Sequence, residues 1–391
     1  MRATISLQAA ATGLLIAFVG FASTFAVIVE GLTKVGATPA QASSGLMAVS
    51  IAMGLGGLIL SLATKMPISV AWSTPGAALL ATSGMAPGGF GGAVGAFMVT
   101  GALIVLAGLF KPLGRAVEAI PHALGNAMLA GVIFGLCLAP VRAVAQYPLA
   151  ALAIIIVWVA VARIRRILAM PAAVLVTVAV VLFEAKAGTA PALDSLWPRP
   201  VWVDPVFSVE GVVGIAIPLF LVTMASQNIP GIAILAVNGY KPDAGRAFAT
   251  TGILSLLATP FGGHAVNLAA ITAALGAGPD AHPDPARRYW ATVVAGPIYI
   301  LFGLLSGAAT AFIASSPPIL IEAVAGLALL GAFGSAILGA VNEPKDREAA
   351  VITFIVTASG VSFFGISGAF WGLLAGALIL ALTRWKRPKP G

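Results

Sequence analysis

Apolar runs of about twenty residues recur from one end of the chain to the other, separated by short polar or Gly/Pro-rich breaks. Twenty apolar residues in a helix match the thickness of a bilayer core. The pattern predicts about fourteen spans, near 9–33, 39–62, 67–84, 90–110, 117–138, 147–163, 168–186, 208–236, 244–260, 260–276, 289–313, 317–340, 347–361 and 364–384. Several of these are short or interrupted by Gly and Pro, so twelve is the alternative count. The first run, Ala9 to Leu32, is longer than a signal-peptide core and leads straight into further spans, so it reads as a retained helix. The longest polar stretch, near 187–207, is too small for a soluble domain.

Composition agrees with this pattern. The 391 residues are 60% hydrophobic and only 9% charged, with mean hydropathy +1.05, against roughly 25% charged in a soluble domain. Too few charges exist to cover a water-facing surface. The 45 Gly and 26 Pro suit helices that approach closely in lipid. The net charge of +8 comes from basic residues scattered between apolar runs, not gathered in a stripe, which argues against nucleic acid as a partner. A single cysteine, Cys137, excludes an internal disulfide and a cysteine-based metal site.

Charge also orients the spans. With fourteen spans and a cytoplasmic N-terminus, 17 of the 21 Lys and Arg fall in cytoplasmic segments, and only Lys34, Arg142, Lys186 and Arg199 fall outside. That bias is what the positive-inside rule expects, and it places both termini in the cytoplasm of an inner-membrane protein. Spans one to seven and eight to fourteen then form two halves joined by an extracytoplasmic linker. Seven is odd, so the halves are inverted relative to each other, which is a transporter architecture. The expected fold is an all-α polytopic membrane protein of two inverted seven-span repeats.

The third and tenth spans are the irregular ones. One reads PISVAWSTPGAALLA from Pro67 and the other PFGGHAVNLAAITAAL from Pro260. Thr74 before Pro75 reads as an N-cap followed by proline at the first helical position. Asn267 reads as the cap of LAAITAAL, and seven residues separate proline from cap in both halves. Each span is therefore expected to be an extended piece followed by a half-helix. Both N-termini would point toward mid-membrane and offer N–H groups to an anion. In the eighth span, Ser226, Gln227 and Asn228 place three polar groups in an apolar run ahead of Pro230. Polar groups at that depth tend to be functional; the alternative is helix–helix hydrogen bonding.

The motifs PISVAWSTPGAALL, MASQNIPGIAIL and FGGHAVNLAAITAAL, together with this architecture, resemble the benzoate:proton symporter (BenE) family, which is related to nucleobase and sulfate transporters with a seven-plus-seven inverted-repeat fold. The resemblance covers nearly the whole chain. It implies a core domain from residues 1–112 and 208–314, a gate domain from 113–187 and 315–391, and an extracytoplasmic linker at 188–207. Substrate would lie between core and gate, beside the third, eighth and tenth spans. One departure matters. The nucleobase relatives carry acidic residues in the eighth and tenth spans, where this chain has Ser226-Gln227-Asn228 and His264. Acids suit ring N–H donors and repel a carboxylate, so the resemblance points to an aromatic carboxylate partner.

The expected binding residues are Ser73, Thr74, Gln227, Asn228 and Asn267 for the carboxylate, with Trp72 or the Phe18, Phe21 and Phe25 stripe for the ring. Plain helix packing is the alternative for that stripe. His264, with an unperturbed pKa of about 6.5, is the expected proton-coupling group. A neutral histidine bonding the interrupted backbone is its alternative, and Glu322 is the alternative coupling acid. Glu30 and Lys34, four apart, read as an interfacial ion pair. No nucleotide-binding GxxxxGK[ST] loop, HExxH or metal-ligand cluster occurs, so neither an enzyme nor a bound cofactor is expected. The partners expected are an aromatic carboxylate, protons and membrane lipid, with room for a homodimer. A nucleobase or inorganic-anion carrier of the same fold, or a passive anion channel, are the rival functions.

Overall fold

A computed structural model describes residues 6–110, 112, 121–184, 197–269, 271–314, 316–361, 363 and 368–385. The chain begins with α1 (Leu7–Ala22) and α2 (Phe25–Lys34), one apolar rod interrupted at Ser23–Thr24. Helix α3 (Pro39–Thr64) opens on a capping box, in which Thr38 and Gln41 each bond the other's backbone N–H. It closes on Lys65 in a left-handed conformation (φ 55°). Strand β1 (Val70–Trp72), α4 (Thr74–Ser83), α5 (Gly89–Leu109), α6 (His122–Cys137), α7 (Ala139–Gln146), α8 (Pro148–Arg165) and α9 (Ala169–Glu184) follow.

Past the linker, one helical rod, α10 (Val209–Val237), contains two turns widened to π geometry, Val212–Ala216 and Met224–Asn228. Then come α11 (Ala244–Ala258), strand β2 (Val266–Leu268), α12 (Ile271–Ala277), α13 (Tyr289–Leu304), α14 (Ser306–Ala314), α15 (Pro318–Val341), α16 (Arg347–Ala358) and α17 (Gly368–Trp385).

Among the described residues seven helical rods are long and apolar enough to cross a membrane, or eight if α13 and α14, bent by 53°, count as one. Their outer faces are apolar where lipid would lie, with Phe183, Leu149 and Ile164 largely exposed. Helix α3 packs along α13, α5 along α11, and α6 along both α15 and α16. Small residues permit close crossings: a Cβ added to Gly54 would sit 2.5 Å from the Gly296 carbonyl oxygen.

The two strands explain why a β pair sits among helices. They run antiparallel, with Val70 opposite Leu268, Ala71 opposite Asn267 and Trp72 opposite Val266. Buried backbone must find partners, and among the described residues each strand is the other's only neighbour in the sheet. The ladder extends one bond beyond each end, from Ser73 N–H to Ala265 O (2.9 Å) and from Ala269 N–H to Ser69 O (2.9 Å). Helices α4 and α12 start just past the crossing.

This register corrects two expectations. The cap of α4 is Ser73, not Thr74: the Ser73 hydroxyl accepts from Gly76 N–H at 3.2 Å, and Thr74 already lies in the first turn. Asn267 caps no helix, because it sits in the middle of β2 and α12 begins only at Ile271. The matched seven-residue spacing therefore equates positions that differ in structure: Asn267 corresponds to Ala71 across the pair, not to Thr74. Strand pairing at 266–268 delays the helix that local propensity favours.

The described part of the linker, from Trp197, packs against one end of the bundle. Val201 N–H donates to Ser44 Oγ (2.9 Å), Val203 N–H to Pro260 O (2.8 Å) and Val206 N–H to Gly91 O (2.9 Å). At the other end, Gln8 and Thr12 bond the Asp280 carbonyl, Tyr240 bonds that of Pro285, and Lys65 lies over the Tyr289 ring.

Candidate functional site

The crossing of β1 and β2 gathers most of the residues singled out in the sequence, and it sorts them by exposure. Ser73, Asn228 and Asn267 are fully buried, and Trp72 and His264 nearly so. Thr74 and Gln227 are half-buried, and their side chains make no hydrogen bond among the described residues.

The buried members are occupied with one another. Ser73 Oγ, besides capping α4, lies 2.8 Å from Thr223 Oγ1, which fastens α10 to the α4 tip. Asn228 Oδ1 accepts from Leu268 N–H at 2.9 Å, and its nitrogen faces Met224 Sδ at 3.1 Å. Leu268 and Asn228 thus join the second strand to α10. Asn267, oriented as its neighbours require, accepts from Ser73 N–H (3.2 Å) and donates to Leu268 O (2.9 Å). Ser226 turns back on Val222 O within its own helix. Of the three consecutive polar residues in α10, only Gln227 keeps its polar group free among the described residues.

The π turn at Met224–Asn228 makes this division possible. A widened turn carries an extra residue and shifts the face that each side chain presents. Thr223 and Asn228, five apart, both reach the crossing, and Gln227 lies between them in sequence. The same turn packs on α6, where Ala225 Cβ would lie 3.6 Å from a Cβ added to Gly125. Helix α4 also packs on α6, so the crossing faces the α6–α15–α16 group.

His264 lies just before β2, with Nε2 3.1 Å from Ser73 O and its ring edge-on to Phe97, centroids 6.3 Å apart. Since a carbonyl only accepts, Nε2 carries the hydrogen. Nδ1 then presents a buried lone pair with no hydrogen-bond partner among the described residues. This backbone contact is the one anticipated for a histidine that supports the interrupted chain.

Trp72 does not line an open surface. Its indole N–H donates to Thr24 Oγ1 (2.8 Å) at the interruption between α1 and α2, and its ring meets Phe21 at 5.4 Å. Phe21 is the hub of this cluster, stacked on Phe25 at 5.7 Å and tilted against Phe302 at 5.1 Å. Phe18 is 39% exposed and stands outside these ring contacts. Sequence reading missed Thr24, Thr223 and Phe302. The hydroxyl pair Ser23-Thr24 inside an apolar run was the available signal for the first; nothing local marks the other two.

Glu322 sits half-buried in the first turns of α15, away from the crossing. It is within electrostatic reach of Glu30, Lys34 and Arg142. Glu30 and Lys34 form the expected ion pair, at 3.2 Å.

The family model for the benzoate membrane transport protein, BenE, matches residues 3–382. The chain is 40% identical over 369 residues to inner membrane protein YdcO of Escherichia coli, covering 94% of this chain and 93% of that one. It is 33% identical over 374 residues to a benzoate membrane transport protein of Acinetobacter baylyi, covering 95% and 94%. Among solved structures, the transmembrane domain of the cyanobacterial bicarbonate transporter BicA matches with TM-score 0.58 at 15% identity, covering 96% of both chains. The murine solute carrier 26 family member A9 anion transporter, in an inward-facing state, matches with TM-score 0.63 at 12% identity, covering 98% of this chain and 69% of that one. The chain belongs to the BenE family of benzoate membrane transport proteins, and it is a multi-pass inner-membrane transporter built on the fold of these anion transporters.

Proposed function

We propose that this chain is a secondary active transporter that imports benzoate or a similar aromatic carboxylate together with a proton. The observation that carries the reading is the pair Thr74 and Gln227, the two half-buried polar side chains at the strand crossing, neither of which makes a side-chain hydrogen bond among the described residues. Thr74 lies in the first turn of α4, where backbone N–H groups and the helix dipole favour an anion. Gln227 supplies a neutral amide donor. Neither is acidic, so a carboxylate meets donors without meeting like charge. Partly buried Phe21 and Phe302 offer an aromatic face. The Acinetobacter relative, named for benzoate transport, supports the substrate class.

In this reading, β1–α4 and β2–α12 are the third and tenth of about fourteen spans, each broken where its strand gives way to a helix. Residues 1–112 and 208–314 form the core and 113–187 and 315–391 the gate, with substrate held between the α4 tip, the π turn of α10 and α6. Residues 113–120 and 185–196 lie outside the described residues. The linker contacts and the Lys65–Tyr289 contact lie at opposite ends, which supports an extracytoplasmic linker and cytoplasmic termini. Ser73, Asn228, Asn267 and Trp72 hold the crossing in shape and bind substrate only through it. His264 takes the proton at Nδ1, and its partnerless lone pair supports that assignment; Glu322 is the alternative proton carrier.

The fold likeness to a bicarbonate transporter favours an inorganic anion as the second reading. Thermal unfolding of the purified protein with benzoate, uracil, sulfate or bicarbonate separates them, because a ligand bound to the folded state raises its stability by mass action. Benzoate should raise the midpoint and the others should not; a shift with bicarbonate or sulfate alone would favour the second reading.

A further inference from the structure

We propose that the recess beneath the α8–α9 hairpin, beside the exposed half of α15, binds the headgroup of one anionic phospholipid. Such a site does not depend on what the protein transports.

Helix α15 has two unlike halves. Along the first, Leu320, Ala323, Val324 and Leu327 pack against Ala150, Ala151 and Ile154 of α8 and Ala173 of α9. Steps of three and four residues continue the same face into the second half, where Gly331, Gly334, Ser335 and Leu338 are all exposed. The opposite face, with Ala325, Leu329 and Ala336, joins the main core. The exposed stretch therefore turns away from the core that contains the strand crossing.

The cover ends because the hairpin is short. Helix α8 has 18 residues, about 27 Å, whereas α15 has 24, about 36 Å. Past Arg165 a 3₁₀ turn, Arg166–Leu168, leads into α9. Arg166 marks the edge of the recess: a Cβ added to Gly331 would lie 3.8 Å from its Nη2. Beyond Gly331, α15 continues to Val341, about 15 Å further on.

The tip of the hairpin carries Arg163, Arg165 and Arg166, all exposed. Among the described residues none of the three is paired with an acid or donates a hydrogen bond. The positive-inside bias asks for charge at this end, but not for a guanidinium laid over a glycine in the body of a neighbouring helix. A short span draws the headgroup layer toward its ends, and basic recesses between spans suit anionic headgroups. Guanidinium groups match phosphate oxygens in bidentate geometry. The exposed Ser335 hydroxyl makes no hydrogen bond among the described residues and adds a donor. Small side chains make the room: a Cβ on Gly334 would meet nothing within 4 Å. The acyl chains then run over exposed Val159 and Leu175 on the hairpin.

The test is native mass spectrometry of purified, delipidated protein with added dioleoyl-phosphatidylglycerol or dioleoyl-phosphatidylcholine. Wild type should retain one phosphatidylglycerol about tenfold more tightly than phosphatidylcholine. Arg166→Gln should weaken phosphatidylglycerol binding about tenfold, the scale of one hydrogen bond to a charged group. Gly334→Leu, which fills the recess and leaves every charge in place, should weaken it as much. Arg246→Gln, at an exposed arginine on α11, should change nothing. Equal retention of the two lipids, wild-type retention in Arg166→Gln or Gly334→Leu, or an equal loss in Arg246→Gln would overturn the proposal. Displacement of the lipid by glycerol 3-phosphate would overturn it in favour of a soluble phosphate. A wild-type dimer that binds no lipid and that Gly334→Leu dissociates would make the recess a contact between copies and overturn it too. Unfolding midpoints in lipid-free detergent identify a variant that fails to fold; Arg166→Gln, which alters only an exposed side chain, then decides.

Discussion

Asn228 in α10 holds the backbone of Leu268 in β2, Oδ1 to N–H, at 2.9 Å, with both residues shut away from solvent. Its neighbour Gln227 is half-buried and makes no such bond among the described residues. In the proposed reading these adjacent polar residues have opposite jobs. Asn228→Ala should cost about 1–3 kcal/mol of stability, since it strands a buried N–H. Gln227→Ala should leave the unfolding midpoint unchanged and weaken benzoate binding about tenfold. Thermal unfolding and ligand titration of the two variants check this; the opposite pattern would exchange their roles.

The bond between Ser73 and Thr223 ties the α4 tip to α10 at 2.8 Å. Ser73→Ala removes it together with the cap on Gly76, and should cost roughly 1 kcal/mol for the cap alone. Thr223→Val removes only the tie. The double variant should lose less stability than the sum of the singles, because both singles delete one shared interaction. Strict additivity in a thermal double-mutant cycle would mean that the two hydroxyls are not coupled.

The proposed sidedness rests on the charge bias and is tested by labelling. In a Cys137→Ser background, a membrane-impermeant thiol reagent applied to intact cells should label Arg199→Cys and spare Arg165→Cys. Both positions are exposed and lie at opposite ends in the proposed topology. The reverse labelling would invert the protein.

His264→Gln keeps a donor for Ser73 O and removes the ring nitrogen proposed to take the proton. The variant should retain benzoate exchange and lose accumulation driven by a pH gradient. Wild-type accumulation in this variant would transfer the coupling role to another group, with Glu322→Gln the next substitution to measure.

Much of this site was legible because lipid imposes strict rules on sequence. A short apolar run with Pro67, Ser73, Thr74 and Pro75 leaves few structures that satisfy its backbone, so an extended piece followed by a helix could be read directly. The positions of caps could not. Ser73 and Thr74 are adjacent hydroxyls, and only the bond to Gly76 identifies the cap. Asn267 looked like a cap because local propensity favours a helix after it, but pairing with Ala71 is a contact between residues almost two hundred positions apart in the chain. The π turn at Met224–Asn228 leaves no periodic signal either, so the division between Gln227 and its two buried or self-bonded neighbours had to come from the structure.

Proton-coupled import of an aromatic carboxylate is tested most directly by labelled benzoate uptake into proteoliposomes with an acidic exterior. Protein-free liposomes correct for permeation of neutral benzoic acid. Protein-dependent benzoate should rise above its equilibrium level, fall back when a protonophore is added, and be displaced by unlabelled benzoate but not by uracil or sulfate. Protein-dependent uptake that only equilibrates, or that is indifferent to the gradient and the protonophore, would rule out proton-coupled import and describe a passive anion pathway instead.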